Sequence, residues 1–264
     1  MKLNIVGCTG SMSGPRAAAS CYLVQARGYD EALGKERLWN VAFDLGPGSF
    51  GQLWNYIDPS TLDAVVFSHC HADHMADVIS LHVHRHWGPA RGNPPLRLFG
   101  PQGLLERIRG VDGVGEEEDY ASDFTIVTLA SRVAFTVGPL TITPAEGWHS
   151  VPSFGFRVEG PSEDRKGTST LFYTGDTDRC QTIVDGARGV DVLLSEVGFT
   201  SDETVEGIHM DGIRAGGVAT DASVGRMLLT HIQPWTDPAI LLAEVRSMWD
   251  GPVDLVCAGQ AYFF

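Results

Sequence analysis

Ala64-Val65-Val66-Phe67-Ser68-His69-Cys70-His71-Ala72-Asp73-His74 runs from an apolar stretch straight into three histidines and an aspartate. The apolar residues read as the end of a buried strand, and the last six residues spell H-x-H-x-D-H. Imidazole nitrogens and carboxylate oxygens suit zinc, manganese or iron, and a loop at a strand exit can turn alternate side chains toward one cleft. His69 and His71, two apart, can address one metal while Asp73 and His74 address a neighbouring position. A histidine-rich surface loop is the plainer alternative, set against four possible ligands within six residues.

Two metals need more ligands than this loop offers, and the rest of the chain has candidates. His149 lies in Trp148-His149-Ser150-Val151-Pro152, between two strand-like stretches. Asp176 follows an apolar strand in Tyr173-Thr174-Gly175-Asp176-Thr177, and His231 follows another in Leu228-Leu229-Thr230-His231. Each alone is a weak signal, since a single histidine after a strand is commonly a satisfied polar residue. Together they repeat one layout, a ligand at each strand exit along one rim of a sheet.

This order of motifs resembles the metallo-β-lactamase superfamily and, within it, the ribonuclease Z-like phosphodiesterase branch. The likeness extends to the glycine turns Gly7-Cys8-Thr9-Gly10-Ser11 and Phe43-Asp44-Leu45-Gly46-Pro47-Gly48. It includes His149-Ser150-Val151-Pro152-Ser153-Phe154-Gly155-Phe156 and a Glu-plus-His pair, Glu196 and His209, and runs from residue 3 to about 258. The resemblance implies an α/β fold, the αββα sandwich of two packed mixed sheets with helices outside, as a single hydrolase domain over residues 1–264. It also implies two divalent metal ions, zinc with manganese or iron as alternatives. His69, His71 and His149 would hold the first, Asp73, His74 and His231 the second, and Asp176 would bridge them. Asp73 would orient or deprotonate the attacking water, and His209, held by Glu196, would protonate the leaving oxygen. Two residues depart from the branch: Ser195 stands where histidine is frequent, and Cys70, expected to face away and pack, stands where a hydroxyl or small residue is usual.

Composition agrees with one compact enzyme. The chain has 264 residues, 43% hydrophobic and 9% aromatic, enough to bury a large core and too apolar for disorder. No stretch approaches the roughly 18 uninterrupted apolar residues of a membrane span. The opening Met1-Lys2-Leu3-Asn4-Ile5-Val6-Gly7 reads as a strand rather than a signal peptide. Five scattered cysteines without CxxC spacing are expected to be reduced, which makes the cytoplasm the natural compartment.

Periodicity predicts strands near 2–7, 20–26, 38–44 and 63–68, with a hairpin around 28–34. A helix over 74–87 follows, then strand 96–99 and a helix from about 101. Strands near 124–128, 132–137, 139–144, 153–159 and 170–174 come next, and then strand 191–195, helix 211–220, strand 226–230, helix 237–249 and strand 253–257. Strand-and-helix halves of this kind fit two sheets face to face with helices outside.

The substrate expected is a small phosphodiester. Ribonuclease Z-type enzymes carry an RNA-gripping arm between the HSVPSYGY-like and TGDT strands, whereas residues 157–170 leave room only for a tight hairpin. The 33 acidic residues outnumber 19 basic ones, and no basic run tracks a phosphate backbone, so RNA is not the expected partner. The stretches 6–11, 65–74, Arg188-Gly189-Val190-Asp191-Val192 and 228–236 are similar to the actinobacterial atypical class II cyclic-nucleotide phosphodiesterases. That resemblance implies hydrolysis of a 3′,5′-cyclic nucleotide such as cAMP, and the branch is frequently a homodimer. Ser153, Phe154 and Trp235, with Trp148, are candidate substrate contacts, the aromatics by stacking on a base. The alternatives are a transfer-RNA 3′-processing endonuclease, a lactone or thioester hydrolase, and a non-enzymatic metal-binding module. His82, His84 and His86 stand apart: 82 and 86 share a helix face, suggesting an extra metal or a phosphate contact against the plainer reading of exposed or helix-packing histidines.

Overall fold

The computed structural model describes the chain apart from Arg165 and Thr204. The first sheet takes β1 (Lys2–Thr9), β2 (Ala18–Ala19), β3 (Cys21–Asp30), β4 (Lys35–Phe43), β5 (Ala64–Val66), β6 (Leu96–Gly100) and β7 (Phe124–Thr128). The second takes β8 (Phe135–Val137), β9 (Leu140–Glu146), β10 (Phe154–Pro161), β11 (Thr168–Tyr173), β12 (Val192–Glu196), β13 (Arg226–Thr230) and β14 (Val253–Leu255), and β15 (Ala261–Phe263) returns to the first. The helices are α1 (Ser49–Leu53), α2 (Ala72–Met75), α3 (Val78–His86), α4 (Leu104–Asp112), α5 (Gln181–Ala187), α6 (Gly212–Ala222) and α7 (Pro238–Met248).

Both sheets follow one plan. The first runs β15-β1-β3-β4-β5-β6-β7, antiparallel as far as β4 and parallel beyond it. The second runs β8-β9-β10-β11-β12-β13-β14, antiparallel to β11 and parallel from there. This is the αββα sandwich expected from the sequence. Alternation along the strands makes the layers. Val66 and Leu194 face the other sheet, whereas Val65 and Leu193 face helices. The inter-sheet core joins Phe43 to Phe156 and Tyr22 to Tyr173, with ring centroids 5.5 and 4.8 Å apart. Such burial contributes about 1.5–3 kcal/mol per large side chain.

Three expectations need correction. The helix predicted over 74–87 is broken: Asp77 N–H donates to Leu45 O at 3.0 Å instead of continuing the turn, and the Asp77 carboxylate accepts from Phe50 N–H. The metal motif thus has its own short helix, α2, before α3 starts. Helix α5 was not anticipated, because Thr182-Ile183-Val184 is β-branched and its N-cap, Cys180, supplies no side-chain hydrogen bond. Strand β15, which pairs antiparallel with β1, also lay outside the predicted set. The hairpin expected within 157–170 is present, with β10 and β11 paired from Phe156↔Tyr173 to Pro161↔Thr168, although Arg165 in its turn lies outside the described residues.

Candidate metal centre

Strand exits from both sheets meet at one edge of the sandwich. Asp44 follows β4, His69 follows β5, Asp176 follows β11, and His231 follows β13, while Glu196 ends β12. His149 comes from the β9–β10 connection, and Asp73 and His74 from α2. Carboxyl ends of parallel strands are where open α/β sheets gather ligands. Asp44 and His231 both sit in the left-handed backbone region, at φ 59° and 60°. Non-glycine residues there cost about 1–3 kcal/mol each, a strain kept mainly at functional sites. Gly10 makes room for this bend, because a Cβ at residue 10 would lie 2.4 Å from His231 O.

One group is made of imidazoles. His71 Nδ1 lies 3.0 Å from His69 Nε2 and 3.1 Å from His149 Nε2. The surrounding hydrogen bonds set the tautomers. His149 Nδ1 donates to Ile208 O at 2.7 Å, which leaves Nε2 as a lone pair. Ser68 Oγ donates to Asp44 and accepts from His69 Nδ1 at 3.0 Å, which leaves His69 Nε2 as a lone pair too. Three converging nitrogens with at most one proton among them fit a shared cation. Burial, the largest influence on each, holds His69 well below the usual imidazole value and His71 and His149 below it, which favours their neutral, ligating forms.

The second group adds carboxylates. His74 Nε2 and His231 Nε2 are 3.2 Å apart, and each lies 3.2 Å from Asp176 Oδ2. Asp73 Oδ2 is 3.3 Å from His74 and 3.5 Å from His231. Asp176 Oδ2 also lies 3.7 Å from His69 Nε2, so it faces both groups, and its Oδ1 is buried without a hydrogen-bond partner. Burial works against charge on His74, but Asp176 and Asp44 outweigh it and hold the ring well above the usual range. The same contest pushes His231 up to about 10, with Asp176 as the main opposing influence. Burial also pushes Asp73 upward, yet hydrogen bonds from His231 and His74 hold it below the usual carboxylate value. Three carboxylates, Asp44, Asp73 and Asp176, against His74 make a pocket that favours positive charge, and the orphaned Asp176 oxygen offers a further donor. The donor set therefore fits divalent metal ions.

Behind these groups stands Asp44, which the sequence reading placed in a glycine turn without giving it a role. Its carboxylate accepts from His74 Nδ1 at 2.7 Å, Tyr173 OH at 2.6 Å, Ser68 Oγ at 2.8 Å and Ser68 N–H at 2.7 Å. It fixes the His74 tautomer so that Nε2 faces the cluster. Such supporting carboxylates are worth about 10–100-fold in metal affinity or activity. Asp44→Asn should cause a loss of that size, read by chelator competition and turnover, and wild-type values in a folded variant would remove Asp44 from the design.

Beside the cluster, His209 Nδ1 donates to Glu196 Oε1 at 3.1 Å. Glu196 is held by backbone N–H donors, Thr177 at 3.1 Å, Met210 at 3.2 Å and Gly198 at 2.8 Å. His209 sits between His149 and His231 with its ring tilted to both, at centroid distances of 5.3 and 5.1 Å. Burial lowers its proton affinity, but Glu196 more than restores it and raises the ring above the usual range. Ser195 Oγ bonds to Glu196 O, and Cys70 packs against the core under α3 and α4.

Residues 39–232 match the β-lactamase superfamily domain. The chain belongs to the metallo-β-lactamase superfamily. Rv1339 of Mycobacterium tuberculosis is 35% identical over 99% of this chain and 92% of its own length. The probable metallo-hydrolase YhfI of Bacillus subtilis is 27% identical over 98% of both chains. The YhfI crystal structure superposes with a TM-score of 0.81 at 25% identity, covering 99% of this chain and 98% of that one. Ribonuclease Z of Myxococcus xanthus is 28% identical over 83% of this chain and 86% of its own. This metallo-β-lactamase-fold protein is a metal-dependent hydrolase with relatives in the ribonuclease Z and YhfI branch.

Two of the suggested substrate contacts are placed otherwise. Ser153 is buried, its Oγ donating to Asp176 O at 2.7 Å, so it positions the loop of Asp176 instead of meeting solvent. Phe154 belongs to the inter-sheet core, with its N–H bonded to Ser68 O. Trp235, 70% exposed, and Trp148, 45% exposed, remain open to solvent.

Proposed function

We propose that this hydrolase, acting as one domain over residues 1–264, is a two-metal phosphodiesterase for small phosphodiesters, foremost 3′,5′-cyclic nucleotides such as cAMP. The observation that carries the reading is the seven-residue His/Asp cluster with the Glu196–His209 pair against it. In this reading His69, His71 and His149 hold one ion, Asp73, His74 and His231 the other, and Asp176 lies between. Zinc is the first choice, and manganese and iron accept the same donors. Divalent cations bound there supply Lewis acidity, lowering the pKa of water and neutralising charge on a phosphoryl oxygen.

The protein's own groups do the rest. Asp73, 17% exposed at its side chain, orients the attacking water and accepts its proton. With Nδ1 committed to Glu196, His209 has Nε2 left to protonate the departing 3′-oxygen. Glu196 is the positioning residue that keeps this tautomer. Trp148 and Trp235 offer exposed faces on which a base can stack. The reading extends to a cytoplasmic homodimer: the resemblance supplies the dimer, and the five unpaired cysteines agree with a reducing compartment. Among the described residues no helix is long and apolar enough to cross a membrane.

A second reading, cleavage at RNA 3′ ends, is favoured by the Myxococcus ribonuclease Z relative. The short turn between β10 and β11 and the net charge of −14 favour the smaller substrate. The deciding measurement is hydrolysis of cAMP by protein loaded with zinc or manganese, with Asp73→Ala as the blank. AMP formation lost in the variant is the expected result. No turnover from metal-loaded protein would overturn the cyclic-nucleotide substrate and turn the search to RNA.

A further inference from the structure

Three side chains outside the cluster converge on the far side of α3. His82 and His86, one helical turn apart, face Asp123, which lies just before β7. His86 Nδ1 lies 2.8 Å and His82 Nδ1 3.3 Å from the same oxygen, Asp123 Oδ2. His82 is 7% exposed, and its Nδ1 is not aligned to donate to that oxygen, so a buried nitrogen is left without a hydrogen-bond partner. An imidazole nitrogen withdrawn from solvent and left unpaired in the fold is destabilising unless something else satisfies it.

The frame around the three is fixed. Asp123 N–H donates to Tyr120 O, and Asp123 O accepts from Leu96 N–H at 2.8 Å and Arg85 Nε at 2.9 Å. The His82 ring packs edge-on against Tyr120 at 4.9 Å and Trp87 at 5.4 Å. A cavity of about 260 Å³ opens beside His86 and Asp123, bounded by Trp87, Arg91 and Ser122. Donor atoms bound at about 2.0–2.1 Å to one tetrahedral zinc stand roughly 3.3 Å apart, and closer in higher coordination. The His82–Asp123 separation of 3.3 Å matches that spacing, while His86 and Asp123 at 2.8 Å are hydrogen-bonded to each other and would exchange that contact for the ion.

We propose that His82, His86 and Asp123 form a second, independent binding site for a zinc-class divalent cation, its remaining positions filled by water from the adjoining cavity. The site shares no residue with the seven-residue cluster and does not depend on the phosphodiesterase reading. Two imidazoles and one carboxylate are the donors of a three-ligand zinc site, and buried Tyr120 closes its inner side. The bound ion clamps α3, which continues from the segment carrying Asp73 and His74, to the turn that starts β7.

The test is metal content. Wild-type protein, His86→Ala and Asp123→Asn are stripped with chelator, reloaded with excess zinc, desalted and counted by mass spectrometry. The expected result is one zinc per chain fewer in each variant than in the wild type, with a zinc-dependent rise in thermal midpoint that shrinks in both. His86 is 42% exposed at its side chain, so alanine should be accommodated, and His86→Gln repeats the comparison with the bulk retained. Equal zinc counts in wild type and folded variants overturn the site. Turnover in His86→Ala should match the wild type. If none of the proteins hydrolyses cAMP and the one-zinc difference persists, the substrate reading fails and the clamp stands.

Discussion

Asp176→Asn is expected to strip the centre of metal and turnover together. The carboxylate is 2% exposed, and its Oδ2 faces His74, His231 and His69. An amide keeps the shape but removes the charge that gathers cations at this point. Breaking a buried charge arrangement by neutralising one member costs about 3–5 kcal/mol, or roughly two to three and a half decades in binding at about 1.4 kcal/mol per tenfold. Metal retention after desalting and cAMP hydrolysis should fall in step. A variant that keeps the wild-type metal content and wild-type turnover would remove Asp176 from its place between the two groups.

His209→Ala should separate two kinds of substrate. A positioned general acid is worth about 10²–10⁴ in rate, but only where the leaving oxygen needs a proton. The 3′-oxygen of a cyclic nucleotide is an alkoxide and needs one, whereas p-nitrophenolate leaves unaided. The variant is therefore expected to lose about 10²–10⁴ in kcat toward cAMP and little toward bis-p-nitrophenyl phosphate, with its metal content unchanged. Equal losses on both substrates would mean that His209 only shapes the cleft. Glu196→Gln tests the support: the amide can still accept from His209 Nδ1, so the selective loss should be smaller and of the same kind.

The cluster was legible because strand exits leave a local signature. His69, Asp176 and His231 each follow an apolar run, and sequence order is enough to align them on one rim. Asp44 carries the same signature after β4 and could have been found with it, but an aspartate beside glycines reads equally well as a turn. Ser153 and Phe154 were misplaced because alternation gives two faces without saying which is inner. Phe154 shares the inner face of β10 with Phe156 and Val158, an orientation that shows only once the two sheets have packed. The His82–His86–Asp123 group was half visible as a helix face. Its third member is 37 residues away in sequence and arrives through the β6–β7 pairing, which local patterns do not encode. Helix α5 was hidden for the opposite reason, its β-branched centre overruled by packing of Ile183 and Val184 under the second sheet.

His69, His71, Asp73 and His74 belong to the first sheet's side of the molecule, and His149, Asp176 and His231 to loops of the second. Neither half can assemble the centre alone, so its geometry exists only after the two sheets have closed on Phe43, Phe156 and their neighbours. Ions held there are staples across the join, and ligand binding of this kind adds to the stability of the closed form by mass action. Metal starvation would then do more than silence the enzyme. It would loosen the halves from each other along the edge where His71 meets His149, and amide exchange at that edge would be the first to quicken.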